Sequence, residues 1–150
     1  MVTVRPHLYP QIDTRWEPAI AAAYEALESG ADPSVTAAEL THVDLMTDGA
    51  WLDAAFGSMS PGDAAIAAHT LSSSSEITGL DPSPTELAEM VRLIMSADQL
   101  SSWWSEVLAA HVPHPSPIDL IFHPPADLPV AEQTPERIVA RALAYRAIQL

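Results

Sequence analysis

The chain has no cysteine and no lysine, and only five glycines among 150 residues. Without thiols it forms no disulfide, thiolate nucleophile, zinc ribbon or Cys-ligated iron–sulfur cluster. Without lysine it has neither a Schiff base nor a phosphate-binding Walker lysine, and no Gly-x-Gly-x-x-Gly or P-loop occurs. Long apolar runs are missing too. No stretch reaches the roughly 18 residues of a membrane span, and Met1 to Pro10 holds one Arg, two Pro and no apolar signal-peptide core. The expectation is a soluble, non-secreted chain, cytoplasmic, or virion-associated if phage-encoded.

Basic residues are scarce. Twenty Asp and Glu face six Arg, a net charge of −14, which argues against binding nucleic acid through its phosphates or an anionic membrane. The acids are spread among apolar residues instead of being massed as a mimic of DNA would need. Residues 1–130 hold 18 acids and three Arg, whereas residues 131–150 hold two acids and three Arg. The chain is 48% hydrophobic, although 25 of those residues are Ala. Four Trp and a mean hydropathy of +0.11 place it outside the signature of disorder. Lys-free, Ala- and Pro-rich usage suggests a GC-rich bacterial or phage genome.

A helix-start device recurs four times: an N-cap side chain followed by Pro at the first helical position, where no N–H is needed. Asp32-Pro33, Ser60-Pro61, Ser83-Pro84 and Thr134-Pro135 fit, and Asp63 and Glu86 add the acid of a capping box. Thr14 with Glu17 predicts a fifth start, and Asp48 and Asp98 give weaker ones. Apolar periodicity agrees at Trp16, Ile20, Ala23, Tyr24 and Leu27, before a stop at Gly30. A second stripe is Leu87, Met90, Val91, Ile94 and Ala97. A third, Leu100, Trp103, Trp104, Val107, Leu108 and His111, is rotated by about 100° from the second, so a break is predicted at Ser96 to Asp98.

Between Val112 and Pro129 lie six prolines and Ile118–Phe122, which alternates well enough for a short strand. The segment reads as an extended Pro-braced connector, or as a strand pairing with Val2 to Arg5. Ser72 to Ser75 is either the tail of the 61–71 helix or a mobile loop. In the last helix Arg137 and Arg141 stand four apart on one face, with Val139, Leu143 and Leu150 on the other. This helix either docks on an acidic body or is offered to a partner.

Candidate chemistry is sparse. Glu39-Leu-Thr-His42 has the Glu-x-x-His spacing of di-iron bundles, but such sites need two copies, and Glu25, Glu86, Glu89 and Glu106 would have to complete one. His111, His114 and His123, with Asp119 nearby and His42 or His69 remote, are the candidate metal ligands, although His111 and His114 lack the four-residue helical spacing of zinc sites. His111 also reads as a helix-end residue meeting terminal carbonyls. In Gly57-Ser-Met-Ser-Pro-Gly62 the position of a serine nucleophile is taken by Met59. Trp103-Trp104 is a core pair or an exposed aromatic anchor.

These features predict one all-α domain over residues 1–150, an irregular bundle of about six helices. Its parts are an extended arm at 1–13, the Pro-rich connector at 112–130 and a terminal helix at 134–150. The expected function is non-enzymatic protein–protein interaction, without cofactor. Two roles fit: a subunit or adaptor of a larger assembly, or an acidic inhibitor of immunity or antitoxin type. Arg137, Arg141, Trp103 and Trp104 are the candidate partner-binding residues, and the partner is another protein or a second copy. The alternative is a small helical metal enzyme holding one transition-metal ion through His42, His111, His114 or His123.

Overall fold

A computed structural model describes residues 3–146, and they are all-α, with no strand among the described residues. The helices are α1 (Trp16–Glu28), α2 (Pro33–Glu39), α3 (Gly49–Ser58), α4 (Pro61–Leu71), α5 (Ser74–Thr78), α6 (Pro84–Met95), α7 (Ser101–His111), α8 (Pro117–Phe122) and α9 (Pro135–Ala144), joined in places by single 3-10 turns. These are more and shorter helices than the six expected. Prolines and caps cut the chain often, so no described helix is longer than the 13 residues of α1.

Each of the four cap-and-proline starts is made as drawn. Asp32 accepts from Ser34 N and Val35 N, Ser60 from Asp63 N, and Thr134 from Arg137 N. Ser83 and Glu86 close a reciprocal capping box. Asp48 caps α3 through Trp51 N at 2.7 Å. Thr14 does not cap α1. The N-cap residue is Arg15, which makes no side-chain cap, and Asp13 sets the turn before it, its carboxylate accepting from Arg15 N and its carbonyl from Trp16 N. The break after α6 falls where the rotated stripes require it, with Ala97 in the left-handed region at φ 56°. Ser74 and Ser75 open α5 rather than forming a tail or loop.

The described residues group into two compact units, Pro10–Ser73 and a larger one formed by residues 3–9 with 74–146. In residues 10–73, helices α1 to α4 pack on Trp16, Ile20, Leu40, Leu45 and Leu52, and the remaining buried positions are mostly alanine: Ala23, Ala37, Ala55, Ala64, Ala65 and Ala68. Small side chains let the backbones approach. A Cβ on Gly49 of α3 would stand 2.6 Å from the Ser34 hydroxyl and 2.8 Å from its backbone nitrogen.

The larger unit has a bulkier core. Trp103 and Trp104 are fully inaccessible, surrounded by Leu8, Met90, Val91, Leu108 and Ile138. The N-terminal segment is not an extended arm throughout: Pro6–Leu8 forms a 3-10 turn, and Val4 and Leu8 are buried in this core. Trp103 Nε1 donates to the Leu8 carbonyl at 2.8 Å, and the Tyr9 ring meets Trp104 edge-on.

Ile118–Phe122 is neither strand nor extended connector. Pro117 supplies a helical first position, and one and a half turns bury Pro117 and Leu120. In α9 the inward residues are Ile138, Val139 and Ala142. Leu143 is 39% exposed at the open groove between α9 and α6, and Leu150 lies outside the described residues.

Candidate protein-interaction surface

The residues singled out from sequence in the second half of the chain converge only in part. Trp103 and Trp104 belong wholly to the core and present no face to a partner. Arg137 is exposed and has no ion pair among the described residues. Arg141 is tied down: its guanidinium donates to both carboxylate oxygens of Asp127, at 2.7 and 2.9 Å.

The feature that sequence reasoning missed is the outer side of α8. Its inward side chains, Pro117 and Leu120, anchor the helix, and Pro124-Pro125 prevent it from continuing. At its end Phe122 is 56% exposed and His123 follows in solvent. Exposed Asp119 accepts from the Ser116 hydroxyl at 2.8 Å. Beside α8 an open depression of about 470 Å³ brings together His114, Asp119, His123, Arg141 and Tyr145. The His114 ring packs on Tyr145 at 4.8 Å, and its Nδ1 accepts from Ser116 N. The result is an apolar ring held on a short, proline-bounded helix beside a mixed polar rim.

A second groove, about 310 Å³, runs between α6 and α9, lined by Ala88, Glu89 and Arg92 on one side and Glu136, Val139 and Leu143 on the other. Glu89 and Arg92 pair along α6, and the guanidinium holds the Glu89 carboxyl below its usual range.

The strongest electrostatic constellation is structural. Glu86, buried except for 6% of its side chain, receives the Arg5 guanidinium at 2.8 Å and the backbone N–H groups of Arg5 and Ser83. The Arg5 hydrogen bond is the largest cause holding the Glu86 carboxyl down at about 2, against the opposing effect of burial. Asp81 is lowered chiefly by its hydrogen bond to His7, with Arg5 assisting. This cluster fastens the N-terminal segment to the start of α6.

The metal candidates do not assemble. No group of three or more His, Asp or Glu able to hold a metal ion occurs among the described residues. His111 gives its ring to the Ile77 carbonyl of α5 at 2.8 Å, rather than to the end of its own helix. His114 and His123 share the depression beside α8. His42 lies exposed in a turn of residues 10–73, where it and Glu39 border a groove along the alanine face of α1. No described helix is long and apolar enough to cross a membrane.

The described residues define an all-α scaffold in which the exposed Phe122 ring and the depression beside α8 are accessible. Residues 82–148 match the family described as colicin immunity protein / pyocin immunity protein. The match covers a little under half of the chain, begins just before α6 and takes in α6 to α9. Comparison with curated proteins and with solved structures gives no significant match.

Proposed function

We propose that the chain is an immunity-type inhibitor, an acidic helical protein that protects by binding a toxin of colicin or pyocin kind. The observation that carries this reading is the match over residues 82–148. Those residues contain α8, so the exposed Phe122 ring and its rim fall inside the matched region. A net charge of −14 favours a cationic partner surface, steering its approach and discouraging association with nucleic acid. Of the two interaction roles expected from sequence, the match favours inhibitor over assembly subunit. On this reading Phe122 is the apolar anchor, while Asp119 and the acidic body supply charge complementarity.

The test is co-expression with a colicin- or pyocin-type toxin encoded beside this chain. The expected result is protection of the host and a complex that purifies at equal stoichiometry. Phe122→Ala should weaken binding about tenfold or more without loss of fold. A chain that neither binds nor protects against that toxin would overturn the reading.

A further inference from the structure

Residues 10–73 lie wholly outside the 82–148 match, and of the large apolar side chains they expose, Met46 at 70% and Leu71 at 68% reach furthest into solvent. The two are neighbours across the fold. Both line one depression of about 360 Å³ with Ala68 and the half-buried Trp51, edged by Thr47, Asp48 and Ser72. The core of this unit uses neither: α4 turns Ala64, Ala65 and Ala68 inward, and Leu45, not Met46, is the buried residue of the turn. An unbranched thioether beside an indole gives a surface that adapts to the apolar side chain it receives.

Charge selects the occupant. This unit holds ten acidic residues against one arginine, and that arginine is already shared by Asp13 and Asp44. Asp44 and Asp48 bracket Met46 along the chain. A second copy, with the same −14, is repelled, as are nucleic acid and anionic membranes; a cationic protein segment is attracted. We infer that the Met46–Trp51–Leu71 depression docks an amphipathic segment of a protein partner, apolar on one face and carrying Lys or Arg on the other. It uses residues separate from those around α8.

The probe is a synthetic 14-residue Leu/Lys amphipathic peptide titrated into the isotope-labelled full chain, with a scrambled-order peptide of the same composition as control. Amide shifts should centre on residues 46–51 and 68–72, and affinity should fall as salt rises. Met46→Ser combined with Leu71→Ser should weaken binding about tenfold, whereas Phe122→Ala should leave it unchanged. Both replaced side chains lie in water, and far-UV circular dichroism melts check that the fold is kept; Leu71→Gln alone provides a milder second variant, expected to weaken binding severalfold. Equal binding of the scrambled peptide, shifts centred on residues 117–123, self-association through this face, or unchanged affinity in the variants would each overturn the inference. Toxin protection is a separate readout, so failure here and failure of the immunity reading are distinguishable.

Discussion

Residues 10–73 and the remainder of the chain carry ten acidic residues each, but the first has one arginine and the second five. In the larger unit guanidinium groups take up Asp81, Glu86, Glu89 and Asp127. In the smaller one Arg15 takes up Asp13 and Asp44, Asp32 and Asp48 cap helices, and Glu17, Glu25, Glu28 and Asp53 stand in water without an ion pair among the described residues. The cores differ in parallel, alanines closely approached in one and two tryptophans in the other. Similar acidity therefore serves different ends. The larger unit holds four of its carboxylates with guanidinium groups, whereas the smaller, with one arginine, pairs two and sets two more at helix N-termini.

The largest expected effect tests the tryptophan core. Trp103→Ala should destabilise the protein by about 3–5 kcal/mol in urea unfolding, since it removes a fully buried indole and frees the Leu8 carbonyl. A loss below about 1 kcal/mol would mean that this residue does not organise the larger unit.

Next comes the buried carboxylate. Glu86→Gln should cost about 1–2 kcal/mol at neutral pH, because a nearly buried carboxylate loses its charge-assisted contact with the half-exposed Arg5 guanidinium. The pH dependence follows from the sign of the shift. A carboxyl held at about 2, against its ordinary 4.5, contributes stability that is complete above pH 4.5 and disappears as pH falls towards 2. The variant's stability profile should be flatter across that window. An unchanged slope would show that acid sensitivity arises elsewhere.

Gly49→Ala probes the opposite unit by overfilling. The new methyl would meet Ser34 backbone as well as its hydroxyl, so α2 and α3 must separate, at about 1–2 kcal/mol. A neutral or stabilising outcome would show that this alanine-lined packing yields easily.

What could be read from the sequence was local. Asp32, Asp48, Ser60, Ser83 and Thr134 each bond a backbone N–H within three residues, so their chemistry is written in adjacent letters. Arg5 and Glu86 are 81 residues apart, and Trp103 and Leu8 are 95 apart. No periodicity reports contacts of that range, so the sequence alone reads the N-terminal segment as an arm. Residues 118–122 are too few to separate period 2 from period 3.6, and the flanking prolines fit either reading. The surface near α8 was half legible. The sequence marks His114, His123 and Asp119 for metal binding and Arg141 for charge, and the structure gathers them in one depression. Phe122, the exposed ring beside them, had no signal of its own, because its outward direction depends on how α8 seats Leu120.

The smallest effect sharpens the comparison most. Glu25 and Glu28 sit three apart in the last turn of α1, both exposed. Like charges at that spacing repel, and anions at a helix C-terminus oppose its dipole. Glu28→Gln should therefore raise stability, by about 0.3–0.5 kcal/mol at low salt, with the gain vanishing at high salt. The matching change in the larger unit, Glu89→Gln, breaks its pair with Arg92 and should not stabilise. Unfolding curves for both variants at two ionic strengths decide the point. Opposite responses would mean that Glu28, unlike Glu89, is held at a cost to the fold, as a surface that attracts a cationic partner requires. A loss of stability in Glu28→Gln would show instead that this acid serves the fold as well, and the contrast between the units would fail there.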